Sequence, residues 1–264
     1  MDRNIIQKKQ YINRTDLTEF IVPYGIEEIE GYAFAQCGSL LRIAIPDTAE
    51  RIAANAFFEC DSLDKVYVYH SEGGVNIYSI NDEKTEVLAT LTAIAFRELS
   101  EASLFDVRAF GNEEWIKIWD NAFMAYLLSP DDAGFMPFLA GGEEDYEEEQ
   151  ASRDSFAVKT RTKKAACLID RLLAEEFFSL DDKLKMRYLN KLKSLCETGS
   201  KEALSALASR KDNLEKTVEL FASNHLLIDA TISELISALP SEAVELKSLL
   251  MRTQEGNIFE SLKL

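Results

Sequence analysis

Metal-binding and disulfide-forming residues are scarce in this sequence. Four cysteines (Cys37, Cys60, Cys167, Cys196) and two histidines (His70, His225) are spread over 264 residues. None of the cysteines forms a C-x-x-C pair, and no H-E-x-x-H occurs. A disulfide scaffold and the common zinc and redox sites are therefore excluded. Basic charge is also short: 29 Lys and Arg face 46 Asp and Glu, a net charge of −17, which argues against a nucleic-acid partner. No run reaches the roughly 18 apolar residues of a membrane span, and the N-terminus has no apolar signal core, so the expected location is cytoplasmic. Gly-rich phosphate loops, G-x-S-x-G elbows and EF-hand loops are missing. No catalytic residue, cofactor or metal site is expected from these residues.

Apolar residues make up 47% of the chain, enough for two packed cores. The acidity is unevenly spread. Residues 1–70 hold 7 basic and 11 acidic side chains, residues 71–155 hold 5 and 19, and residues 156–264 hold 17 and 16. The middle segment ends in Glu143-Glu144-Asp145-Tyr146-Glu147-Glu148-Glu149 behind Gly141-Gly142, which reads as a solvated acidic loop or linker over 141–158.

The strongest signal is a 23-residue period. Leu17, Leu40 and Leu63 keep it, as do Pro23 and Pro46, Ala33-Phe34 and Ala56-Phe57, and Cys37 and Cys60. Within each unit Phe20 and Val22, Ile43 and Ile45, and Val66 and Val68 sit two apart, as inward residues of a short strand do. Ile26 and Ile29, matched by Ala49 and Ile52, carry the apolar stripe through a turn. Ala-Phe-x-x-Cys then supplies one helical or 3₁₀ turn. A unit of this kind cannot bury its apolar face alone, so the units must stack strand upon strand in a parallel ladder. Stacking makes Cys37 and Cys60 neighbours, as two buried thiols or, in an oxidising compartment, a disulfide. Residues 1–14 would cap the first unit, and Tyr69–Ile80, turning at Gly73-Gly74, would extend the sheet.

The pattern Leu-x-x-Phe-x-Val-Pro-x-x-Ile-x-x-Ile-x-x-x-Ala-Phe-x-x-Cys-x-x-Leu at 17–40, echoed at 40–63, resembles the BspA-like leucine-rich repeat family. The usual Ile-Gly before the Ala-Phe turn stands here as Ile29-Glu30 and Ile52-Ala53. The resemblance implies a leucine-rich-repeat solenoid used for protein contacts and, in secreted members, for surface adhesion.

From Thr85 the apolar period changes toward 3.6. Val87–Leu99 reads as a helix, with a strand left open at its start. Asn112 caps a helix whose Trp115, Trp119, Phe123 and Leu127 form a packing face up to Ser129-Pro130. Helices are expected over 162–178, 181–196, 201–209, 212–222, 230–239 and 241–252. Their short loops imply antiparallel hairpins, with a weak resemblance to ankyrin-type hairpins that lacks the Thr-Pro-Leu-His signature. The expected fold is thus α+β: a short N-terminal leucine-rich-repeat solenoid with a parallel strand ladder, then a mostly α-helical domain. The expected boundaries are 1–82 for the repeats with caps, 83–140 for connecting helices, 141–158 for the acidic loop and 159–264 for the helical hairpins.

The expected function is a non-enzymatic module that binds a protein partner. Outward strand residues offer the surface: Glu19, Arg42 and Lys65 in one row, Ile21, Ala44 and Tyr67 in the next. The competing reading of this face is ordinary solvated sheet, or sheet covered by the protein's own helices. Two other functions stay open: an enzyme or regulatory protein with a carboxylate-based divalent-ion site, for which Asp131-Asp132-Ala133-Gly134 is the nearest motif, and a secreted or surface adhesin.

Overall fold

The computed structural model describes residues 4–70, 82–99, 101–135, 145–198 and 214–224, with isolated residues beyond. The chain forms two compact units, Met1–Leu128 with Glu176–Phe178, and Ser129–Glu175 with Ser179–Leu264.

In the first unit the 23-residue period becomes two parallel ladders. Strands β1 (Ile5–Ile6), β3 (Glu28–Ile29) and β5 (Arg51–Ile52) form one, and β2 (Glu19–Ile21), β4 (Arg42–Pro46) and β6 (Lys65–Tyr69) form the other. Every register is an offset of 23: Ile6 pairs with Ile29 and Ile29 with Ile52, while Phe20 pairs with Ile43 and Ile43 with Val66. Identical side chains therefore stack. Phe34 and Phe57 lie face to face at 5.2 Å and 3°, and Tyr11 continues the column at 5.0 Å from Phe34. The Cys37 thiol donates to the Tyr11 carbonyl, and Cys60 makes the same 3.0 Å bond to the Phe34 carbonyl. Both are free, buried thiols. Residues 4–13 are thus a truncated first unit as well as a cap, because β1 and Tyr11 both occupy repeat positions. Non-glycine residues with positive φ recur on the same spacing, Asn13 at 58°, Gln36 at 60° and Glu59 at 58°.

Helix α1 (Glu83–Glu98) follows, with Asp82 accepting the Thr85 amide as its N-cap. It packs against β6. Its Ala95-Phe96 reproduces the Ala-Phe pair of the repeats, 39 residues after Ala56-Phe57 instead of 23, so 16 extra residues intervene. Phe96 takes the next place in the aromatic column at 5.2 Å from Phe57, and Leu99 is buried where the pattern calls for Cys. A 3₁₀ turn (Ala102–Phe105) leads to α2 (Glu113–Leu128). As expected, Asn112 caps α2, and Trp115, Trp119, Phe123 and Leu127 are buried. The two indole N–H groups donate to the carbonyls of Leu104 and Leu91, which satisfies the one polar atom each ring carries into the core. Gly111 has φ of 75°, and a Cβ there would come within 2.9 Å of Leu88 Cδ2.

The second unit contains α3 (Asp145–Leu173), α4 (Asp182–Thr198) and α5 (Leu214–Ser223), with α3 packed on both others. Tyr188, Leu192 and Leu195 are buried on α4, as their spacings of four and three predict. Lys164 is 0% exposed. Its ammonium donates to the Ser129 carbonyl at 2.6 Å and to Asp131 Oδ1 at 2.9 Å.

One expectation is corrected. Residues 145–158, expected as acidic loop, are the first half of α3, because Glu is a strong helix former and carboxylates near a helix N-terminus meet its positive end. Of the connecting helices expected over 83–140, the part up to Leu128 groups with the unit of the repeats, and α1 supplies the next stacking position there. The proposed extension over Tyr69–Ile80 falls outside the described residues beyond His70, as does most of the expected series of C-terminal hairpins.

Candidate functional site

The outward rows of the β2–β4–β6 ladder form in the expected register: Glu19 beside Arg42 beside Lys65, and Ile21 beside Ala44 beside Tyr67. Their exposure differs from expectation. Ile21 is 44% exposed, whereas Ala44 is 0% and Tyr67 3% exposed. Ala44 and Tyr67 therefore cannot present a contact surface. The cause is α1. Tyr67, Ala44 and Tyr69 pack with Ala89 of α1, and the half-buried Tyr24 closes the side. The Tyr67 hydroxyl donates to Glu86 Oε1 at 2.9 Å; burial first and this bond second raise its pKa. Lys65 is drawn under the same helix, its ammonium 2.6 Å from Thr90 Oγ1 and 3.5 Å from Glu86 Oε2. Glu19, Ile21 and Arg42 remain open, with Arg42 reaching Glu19 at 3.4 Å. No residue spacing marks α1 as the cover, but the third Ala-Phe pair at 95–96 is a signal that assigns it a repeat position.

Two concavities lie in the same unit. One, of about 410 Å³, is lined by Val66, Leu88, Val107 and Phe110, with Asp47, His70 and Arg108 among its polar residues. His70 Nδ1 lies 3.1 Å from Asp47 Oδ2. A histidine beside a carboxylate suits a general base, but the hydroxyls on this wall are committed. Thr85 is bonded to Asp82, and Thr92 donates to the Leu88 carbonyl. The arrangement thus supplies no activated nucleophile. His225 lies outside the described residues.

The other concavity, of about 660 Å³, runs along β3 and β5 and is closed on one side by Ala102, Phe105 and Asp106. Its charged residues are Lys8, Glu28, Glu30, Glu50, Arg51 and Asp106. Arg51 is held by Glu28 at 2.8 Å.

The Asp131-Asp132 motif is not available to a divalent ion. Lys164 and Arg161 approach Asp131 at 2.9 and 3.8 Å, and Arg153 approaches Asp132 at 3.8 Å. These cations already supply the positive charge that an ion would bring. Among the described residues there is no group of three or more His, Cys, Asp or Glu placed to hold a metal, and no helix is long and apolar enough to cross a membrane.

Comparison with curated proteins and with solved structures finds no match. Residues 4–117 match the family model described as BspA type Leucine rich repeat region, in six copies. The match runs past β6 through α1 to the start of α2, the span over which the aromatic column continues. The N-terminal part of this chain is therefore similar to BspA-type leucine-rich repeat regions, which in general suggest a protein-interaction module.

Proposed function

We propose that this protein is a non-enzymatic interaction module that binds a protein partner through the open part of its longer ladder. Glu19, Ile21 and Arg42, flanked by Tyr24, would make the contact. The observation that carries this reading is Ile21: a large apolar side chain 44% exposed on a regular sheet, beside the Glu19–Arg42 ion pair. Interfaces combine such an apolar centre with a polar rim, and arginine is enriched in them. The free thiols of Cys37 and Cys60 suit a reducing compartment, which favours a cytoplasmic module over a surface adhesin.

The test is quantitative affinity capture with the full chain, comparing wild type with an Ile21→Asp, Arg42→Glu double variant. Both positions are outside the core, so the melting temperature should stay within about 2 °C. A partner bound by the wild type and lost by the variant is the expected result. Equal capture by both would move the contact elsewhere. Tyr67→Ala is unsuitable for this purpose, because it opens a cavity beneath α1.

A further inference from the structure

The chain as a whole is acidic, and α4 departs from it. The helix holds Lys183, Lys185, Arg187, Lys191 and Lys193 against Asp182 and Glu197, within a chain of net charge −17. Its two sides differ. Tyr188, Leu192 and Leu195 are buried on one side, and α4 packs on α3. At about 100° per residue, Met186 lies about 200° from Tyr188 and so faces the opposite way, where it is 56% exposed. Lys183, Arg187 and Asn190 are exposed with it. Positions 183, 186, 187 and 190 form one stripe of a helix. An apolar side chain thus sits on the polar side of α4, between two cations.

These cations differ from their neighbours. Lys185, on the flank of the stripe, is held by Glu175 at 2.7 Å. On α3, Arg153, Arg161 and Lys164 each meet Asp131 or Asp132. Among the described residues no such pair forms at Lys183 or Arg187. Asp181 accepts the Leu184 amide at 2.9 Å, and Asp182 stands in the first turn, where a carboxylate meets the helix's positive end. Lys193, further along, is exposed but has a contact of its own.

We propose that the stripe of Lys183, Met186, Arg187 and Asn190 is a docking site for a short acidic helical segment of a partner protein. Two carboxylates four residues apart on that segment meet Lys183 and Arg187, and an apolar side chain between them covers Met186. Helices are recognised through residues at such spacings, and the flexible thioether of methionine adapts to the group it meets. Charge complementarity names the sign of the partner. Net charge limits its extent. The stripe is about 10 Å long at 1.5 Å per residue, close to the screening length of about 8 Å in physiological salt. A segment of two turns touches the stripe alone. A membrane surface or a nucleic-acid duplex extends beyond it and meets the repulsion of a chain that is −17 overall. The stripe belongs to the second unit and the Ile21–Arg42 surface to the first, so either can fail without the other.

The probe is a fluorescein-labelled, alanine-based helical peptide with two Glu four residues apart and a Leu between them, titrated with the full chain and followed by anisotropy. Saturable binding is expected. Changing both Glu to Gln should weaken it about tenfold, and Leu to Ala about threefold. Arg187→Glu should weaken it about tenfold or more, and one of the two peptides with a single Glu changed to Lys should recover binding to that variant. Lys159→Glu, the same change of charge at an exposed position of α3, should alter affinity less than about threefold, and Ile21→Asp, Arg42→Glu should leave it unchanged. No saturable binding overturns the proposal. Equal weakening by Lys159→Glu also overturns it, since that means attraction to overall charge. Binding of phosphatidylserine-containing vesicles in place of the peptide overturns it in favour of a lipid surface. The Gln and Ala peptides decide the matter on the wild-type chain even if the Arg187→Glu variant folds poorly.

Discussion

At the scale of single residues, stacking places chemistry in environments that repeat. The Cys60 thiol is pushed up to about 12 from an ordinary 9.0, chiefly by burial. Its folded-state pKa is raised, so its contribution to stability is fully present below pH 9 and is lost as pH rises toward 12. The urea midpoint should fall across that interval, and a Cys60→Ala variant should show a shallower fall. Glu59 holds a left-handed φ of 58°, which costs a side-chain-bearing residue about 1 kcal/mol. Glu59→Gly should therefore stabilise the fold by up to about 1 kcal/mol in chemical denaturation, less the bond from Gln36 Nε2. Lys164 is the converse case, a charge kept buried by its partners. Removing it as Lys164→Met should cost about 3 kcal/mol, the low end for a broken buried pair, because Asp131 stays 29% exposed with Arg161 nearby. Circular dichroism at 222 nm during urea titration would read this loss.

At the scale of elements, the ladders were legible and their covering was not. Ile29, Ile52, Phe34 and Phe57 recur at an unbroken interval, and in a parallel stack an interval in sequence is a register in space. That fixes which side chains meet. The same reasoning correctly paired Glu19 with Arg42 and Ile21 with Ala44; it kept cover by the protein's own helices as the competing reading of this face but named no helix to supply it. What covers Ala44 and Tyr67 arrives 16 residues off the period, on a helix whose Ala95-Phe96 keeps the repeat's chemistry and breaks its spacing. The acidic run failed as a loop for a related reason. Charge density argued for solvation, and a long helix solvates the same carboxylates without giving up its backbone bonds. Because α1 is seated by Phe96 in the column above Phe57, Phe96→Ala should cost about 3–4 kcal/mol. The effect should exceed that of Lys65→Ala, which removes polar contacts to the same helix at a half-buried site, and denaturant midpoints of the two variants would rank them.

At the scale of the molecule, the two units differ in where their order and their charge come from. The first is held by translation of one motif, the second by helices whose carboxylates and ammonium groups meet at named pairs such as Lys164–Asp131. The buried indoles of α2 add a practical asymmetry. The chain has two tryptophans, Trp115 and Trp119, and both lie in the unit of the repeats. Intrinsic emission excited at the red edge of the indole band therefore reports from the first unit. A denaturation curve read by fluorescence weights the unit of the repeats, while the far-ultraviolet dichroic signal, dominated by helix, weights the second unit heavily. Any separation between the two curves measures, without a label or a truncation, how independently the halves of this chain hold their order.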